Sequence, residues 1–426
     1  MRAVPRPASR ATVPIAAVVV VAVLAGVLLM GDDGRVPDPD DSKAGPLGNF
    51  TDASSGLPAS GDSYYVALAD LDGDGRDDLV SSAGQYGGGV DTTGVHAYLS
   101  RPGGGWSEAS SGLPEDGTYG GLGIGDLTGD GLLDVVASTE GWSGDGDRGI
   151  GVFSAVRDAP RGLIWHLEAG PVSRGDYHQC VLADIDGDGR LDILAAGKDD
   201  GVRLWLGGRS GGALQWTAAG QGLPGGGSWT SVAAVDIDGD GHLDVVTSPY
   251  SASSPCARIY LGDGAGGFTD ASDAMPRTRE TPIMVAAGDV DRDGRVDILV
   301  SLRDSGLLCF LSGRDATGAL AFRTALEGLP RDGAYRELAL GDVDGDGDLD
   351  LLAACMDRGL ELYLGSQPSA GEQRFTRVSL RLPGGAFSGA ALGDVDGDGL
   401  LDVAGGEWGS SSKGGLTAML GTRDDQ

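Results

Sequence analysis

A nine-residue acidic pattern, Asp-x-Asp-x-Asp-Gly-x-x-Asp, recurs seven times along this chain of 426 residues, and its first aspartates are Asp70, Asp126, Asp184, Asp236, Asp289, Asp342 and Asp394. The intervals are 56, 58, 52, 53, 53 and 52 residues. Self-similarity at a fixed period marks a repeat architecture, in which one supersecondary unit is copied and stacked. The unit here must be short, must bury apolar surface against its own copies, and must tolerate a highly charged loop at the same place each time.

The acids are position-specific. In the first copy Asp70, Asp72 and Asp74 alternate, Gly75 follows and Asp78 closes the loop. The others read Asp184, Asp186, Asp188, Asp192; Asp236, Asp238, Asp240, Asp244; Asp289, Asp291, Asp293, Asp297; Asp342, Asp344, Asp346, Asp350; and Asp394, Asp396, Asp398, Asp402. Copy two departs, with Asp126, Thr128, Asp130 and Asp134, so a hydroxyl replaces one carboxylate and this loop is expected to be the weakest site. Calcium takes about six to eight oxygen ligands at about 2.3–2.6 Å, and alternate acids wrap such a set around one centre. The glycine at position six supplies the positive φ of a sharp turn. Turn chemistry alone favours Asp and Gly, but seven loops of crowded like charge oppose folding unless a cation neutralises them. Up to seven calcium ions are therefore expected.

Net charge is −32, and the loops hold 27 aspartates. Most of the acidity is thus a property of the loops, and a nucleic-acid partner, which needs a basic surface, is not expected.

No copy carries the glutamate at position twelve that completes an EF-hand. Apolar β-formers follow instead, as in Leu79-Val80, Val135-Val136 and Ile298-Leu299. A short strand precedes each loop, a third is visible as Leu204-Trp205-Leu206-Gly207 or Leu362-Tyr363-Leu364-Gly365, and a fourth opens on an aromatic, as at Trp106, Phe268 and Phe322. Four strands in each of seven repeats predict an all-β fold, a seven-bladed β-propeller of four-stranded blades. The last repeat lacks a fourth strand, while Phe50-Thr51-Asp52-Ala53 matches one. The amino-terminal strand is therefore expected to close the ring and remove the open edges.

Arg2, Arg6 and Arg10 precede an apolar run from Val13 to Met30, and Asp32 and Asp33 follow it. The organisation expected is a cytoplasmic tail over 1–12, a hydrophobic helix serving as signal anchor or signal peptide over 13–30, a linker over 31–46 and the propeller over 47–426. Length and flanking charge favour an uncleaved anchor with the bulk outside the cytoplasm. Cleavage after Ala25 is the alternative, and gives a secreted protein. Cys180 and Cys309 fall in core register, and Cys256 and Cys355 lie in blades that are not neighbours, so buried free thiols are at least as well supported as a bridge.

With these motifs in place the chain resembles the FG-GAP/VCBS repeat family, to which the propellers of integrin α subunits and many bacterial surface proteins belong. The resemblance spans roughly 47–426 and is nearer the bacterial type, because Ser81-Ser82-Ala83-Gly84 and Ala195-Ala196-Gly197 stand where integrin repeats continue into Gly-Ala-Pro. It implies that each acidic loop joins the first and second strands of a blade and binds calcium on the lower face, and that the fold serves adhesion or protein and carbohydrate interaction. Partners expected are a surface protein or glycan, and the membrane through the N-terminal segment.

Ligand contacts are sought on the upper face. Tyr119, Tyr177, Trp229, Tyr335 and Phe387 each stand seven residues before a first aspartate and are candidates for a ring at the channel mouth, or for packing between blades. Long loops after the second strands of blades seven, one and two carry Trp408, Tyr86 and Trp142 with the acids Glu407, Asp91, Glu140, Asp145 and Asp147. These suit a glycan or protein ligand. An alternative reading, a polysaccharide lyase or hydrolase, would use two of those acids, but no catalytic constellation is positioned by the sequence and no catalytic residue is assigned.

Overall fold

The computed structural model describes residues 47–423 apart from 62, 84–92, 141–147, 159–161, 253–254, 369–371 and 409–414. The expected N-terminal helix, Tyr86, Asp91, Trp142, Asp145 and Asp147 lie outside the described residues. Among those described, no helix is long and apolar enough to cross a membrane.

Each repeat folds as a four-stranded antiparallel meander, and there are seven of them. The first strands, nearest the axis, are Ser63–Ala69, Tyr119–Gly125, Tyr177–Ala183, Trp229–Val235, Pro282–Gly288, Tyr335–Gly341 and Phe387–Gly393. Every second strand starts on the ninth residue of an acidic loop: Asp78–Ala83, Asp134–Thr139, Asp192–Gly197, Asp244–Pro249, Asp297–Leu302, Asp350–Cys355 and Asp402–Glu407. These second strands read as apolar runs rather than as alternating patterns because both faces are covered. Leu79 faces blade seven while Val80 faces blade two, and both are fully buried.

The hydrophobic core is accordingly distributed. Seven buried clusters exist, and each fills the space between two adjacent blades. All four cysteines are buried free thiols within this packing.

Ring closure follows the expectation. Blade seven runs in the order Thr51–Asp52, Leu416–Leu420, Asp402–Glu407, Phe387–Gly393, so its outer strand comes from the start of the chain. Thr51 pairs with Leu420 and Asp52 with Met419, while Gly48 N donates to Thr422 O at 2.6 Å. Phe50 anchors this clasp at 2% exposure, among Leu352, Leu362, Val403 and Met419. Truncating a buried aromatic costs about 3–5 kcal/mol. Phe50→Ala is therefore expected to lower the unfolding free energy by that much, and a denaturant titration showing a loss under about 1 kcal/mol would remove the clasp from the account.

Two sequence details acquire physical reasons. Fourth-strand tryptophans clasp the blade before: Trp106 Nε1 donates to Ala53 O at 3.0 Å, and Trp165 Nε1 to Ala109 O at 2.8 Å. The glycine ending Leu-x-Leu-Gly is a close approach, since a Cβ at Gly207 or Gly365 would lie 2.2 Å from the carbonyl oxygen of Leu191 or Leu349.

Candidate metal centres in the acidic loops

Each loop is built by its own carboxylates. In blade one, Asp70 Oδ1 accepts from Asp74 N and Oδ2 from Gly75 N, both at 2.9 Å, which folds the chain back at once. The same pattern recurs around Asp236, Asp342 and Asp394. Position six is glycine at positive φ in all seven copies, from 83° to 89°. Position four also needs positive φ, a requirement the spacing of acids did not reveal: six copies place glycine there, and blade five places Arg292 at φ 55°.

The ninth residue does something different. Asp78 Oδ2 accepts from Leu71 N at 3.0 Å and Oδ1 from Ser100 N at 2.8 Å, so one carboxylate ties the loop to the third strand. All seven copies repeat this, ending at Asp402, which receives Val395 N at 2.8 Å and Gly421 N at 2.7 Å. These aspartates are at most 1% exposed. Burial, opposed by the two backbone bonds, pushes their pKa up: to about 6 for Asp192 and Asp244, about 7 for Asp78, Asp134, Asp297 and Asp402, and about 8 for Asp350.

A pH prediction follows with its sign. The folded pKa lies above the ordinary 3.8, so without a cation the native state keeps protons that the unfolded chain has released. Stability in chelator is full below about pH 4 and is lost as pH rises through about 6 to 8. Saturating calcium should flatten or reverse that slope, because protons then compete with the ion. Melting temperature against pH, with and without chelator, checks this. A chelated protein that gains stability from pH 4 to 8 would contradict it.

Positions one, three and nine converge. Carboxylate oxygens of Asp70, Asp72 and Asp78 lie within 4.8 Å of one another, as do those of Asp184, Asp186 and Asp192; Asp236, Asp238 and Asp244; Asp289, Asp291 and Asp297; and Asp342, Asp344 and Asp350. That is the span across an ion with bonds of about 2.3–2.6 Å. Buried oxygens without a hydrogen-bond partner belong to these loops: Asp72 Oδ1, Asp184 Oδ1, Asp291 Oδ1 and, in blade two, Thr128 Oγ1. Such atoms are costly unless something pairs with them, and a hard cation fits an all-oxygen donor set.

Position five stands outside the triads. Asp74, Asp188 and Asp293 pair instead with the arginines two residues on, Arg76, Arg190 and Arg295. Blade five adds a second departure, since Asp291 Oδ2 sits 3.2 Å from Arg323 Nη2. A cation there must compete with a guanidinium, so blade five joins blade two as a weak site.

For the aromatics seven residues before each loop, packing between blades is the reading that their burial favours. Tyr119, Tyr177, Trp229, Tyr335 and Phe387 are at most 7% exposed and belong to the clusters between blades. They are packing residues, and Tyr335 also bonds to Glu361 and Tyr363. Of the upper-loop candidates, Trp408 and Glu407 are half-buried, and Glu140 accepts from His178 Nδ1 at 2.7 Å.

Residues 184–247, 250–300 and 342–405 match the FG-GAP-like repeat family. No curated protein matches the chain at a significant level. The three matched segments cover blades three to seven in part, and blades one and two share their strand order. The chain is thus a seven-bladed β-propeller of four-stranded blades that carries FG-GAP-like repeats and is closed by its own amino-terminal strand.

Proposed function

We propose that the protein is an extracytoplasmic, calcium-braced interaction module that presents its upper-face loops to a surface protein or glycan. The observation that carries the calcium part is the set of buried, unpartnered oxygens in the acidic loops. Asp at positions one, three and nine would hold the ion, with Thr128 in place of one carboxylate in blade two. The ion would supply charge neutralisation and rigidity. The protein's own residues fix the loop, and the seven blade interfaces carry the shape.

FG-GAP propellers are in general interaction modules rather than enzymes. The fold supports that use, because function concentrates on loops held by a rigid scaffold. Placement outside the cytoplasm, by an anchor over residues 13–30 or after its cleavage, rests on the Arg-rich lead and the apolar run. Calcium at millimolar concentration outside cells would keep such loops filled.

Retention of glycans and surface proteins on the immobilised protein, measured with calcium and with chelator, tests the reading. Calcium-dependent retention without turnover is expected. Turnover of a polysaccharide, or retention of nothing, would contradict it.

A further inference from the structure

The blades are built alike, so one place in the repeat can be compared across all seven. A large side chain of the third strand stands opposite the fourth strand at the same register throughout. It is Tyr98 opposite Glu108 in blade one, Tyr260 opposite Asp270 in blade four, Tyr363 opposite Arg377 in blade six and Met419 opposite Asp52 in blade seven. Blades two, three and five place the uncharged Leu167, Ala218 and Thr324 there. The residue two before the large side chain shares its face of the sheet, and in blades one, four, six and seven it is His96, Arg258, Glu361 and Thr417.

Acids at this place are matched from within the chain, with one exception. In blade six Glu361 Oε1 pairs with Arg377 Nη2 at 2.7 Å. In blade four Arg258 Nη1 lies 3.7 Å from Asp270 Oδ2, and Asp270 also accepts Ser272 N at 2.9 Å. In blade seven Asp52 accepts Ser54 N at 2.9 Å. Blade one is the exception, because His96 stands where blade four has its arginine, and among the described residues the Glu108 carboxylate has neither ion pair nor hydrogen bond.

A cleft opens at that exception, on the outer flank where blade one meets blade two. It holds about 720 Å³, against about 210 Å³ for its counterpart in blade four. The two are the same place in the repeat, since Ser110 Oγ accepts Ala97 N and Ser272 Oγ accepts Ile259 N, each at 3.1 Å. Blade four fills its cleft with Arg258 and Arg277, whereas no arginine or lysine lines the cleft of blade one. Buried Val95, Ala109 and Leu163 make an apolar floor there, and His96 and the exposed Glu108 and Glu115 stand around it. Thr93 Oγ1 donates to Glu115 O at 3.0 Å, which holds the Glu115 segment beside the start of the third strand. His96 Nε2 donates to Thr93 O at 3.1 Å, so in the neutral ring Nδ1 is an acceptor. Two unmatched carboxylates and an imidazole over an apolar floor suit a cation with an apolar stem, and arginine is what the chain itself puts at this place in blades four and six.

We propose that this cleft binds an arginine side chain presented by a basic segment of a partner protein, with the guanidinium between Glu108 and Glu115 and the methylene stem on Val95 and Leu163. This rests on the interaction-module reading and deepens it by naming the chemistry of the partner. A guanidinium meets carboxylates with its planar fork while its stem covers apolar surface. The net charge of −32 draws such a segment in.

Calorimetric titration of the full-length protein in calcium with acetyl-Ala-Arg-Ala-amide, the same peptide carrying citrulline, and D-glucosamine tests this. The arginine peptide is expected to bind at least about tenfold more tightly than either of the others, and Glu108→Gln to weaken it by at least about tenfold. His96→Arg should abolish binding by filling the cleft from within, as Arg258 does in blade four. Glu372→Gln, an equal loss of charge at an exposed position in blade six, should leave binding unchanged. Glu108 is exposed, so Glu108→Gln should melt as the parent does. Absent arginine-peptide binding, equal binding by parent and Glu108→Gln, equal weakening by Glu372→Gln, or glucosamine binding as tight as the arginine peptide each overturns the site, the last by placing an amino sugar there. No peptide binding in a protein that still retains surface proteins in calcium would overturn this site alone and leave the interaction module standing. A Glu108-dependent titration in a protein whose melt ignores chelator would support the site and reject the calcium reading.

Discussion

Chelating calcium is expected to lower the melting temperature on the order of 10 °C or more. A ligand that binds only the folded state stabilises it by about 2.7 kcal/mol per site at a hundredfold excess over its dissociation constant, and several loops of this kind recur in one cooperative ring. Even a few such sites shift the midpoint of a domain by roughly 2–4 °C for each kcal/mol. The physical cause is visible in blades one, three, four, five and six: three carboxylates with oxygens within 4.8 Å, all partly or fully buried. Without a cation the repulsion and desolvation stand uncompensated. Magnesium should restore less, because it demands a tighter octahedral shell and gives up water reluctantly. A melt that is the same in calcium and in chelator would remove calcium from the account.

Asp244→Ala is expected to destabilise by about 3 kcal/mol even in chelator, whereas Asp240→Ala should cost less than about 1 kcal/mol there. Asp244 is fully buried and accepts Ile237 N at 2.8 Å and Gly262 N at 2.7 Å, so truncation strands two donors, one in the acidic loop and one in the third strand. Asp240 is exposed and accepts only its neighbour His242 N, at 2.8 Å. In calcium the gap between the two should widen, since position nine belongs to the triad and position five does not. Denaturant titrations of both variants decide the matter. Equal losses in chelator would mean that the ninth aspartate serves the ion alone and not the blade.

This pair shows where sequence was sufficient and where it was not. The period, the four strands, the turn glycines and the clasp by Thr51–Asp52 were legible because each has a one-dimensional signature: spacing, apolar runs, or a missing strand at one end matched by a spare at the other. The dual role of the ninth aspartate was not, because the donors, such as Ser100 and Gly262, lie far along the chain and act through the backbone N–H, which leaves no side-chain signature. Of the two readings left open for Tyr177 and Trp229, channel mouth or packing between blades, the fold favours packing for a physical reason. A bulge follows each, between Tyr177 and Gln179 and between Trp229 and Ser231, so the residues next along the strand turn to the axis while the aromatics turn into the core.

The central claim is that the acidic loops are cation sites that brace the blades, and counting ions tests it most directly. Equilibrium dialysis against 1 mM calcium on the order of extracellular levels, followed by elemental analysis, is expected to find at least the five ions that the complete triads imply, with blades two and five filling last. Asp72→Ala should remove one ion and leave the rest. A protein that holds no more than one calcium ion per chain would contradict the account.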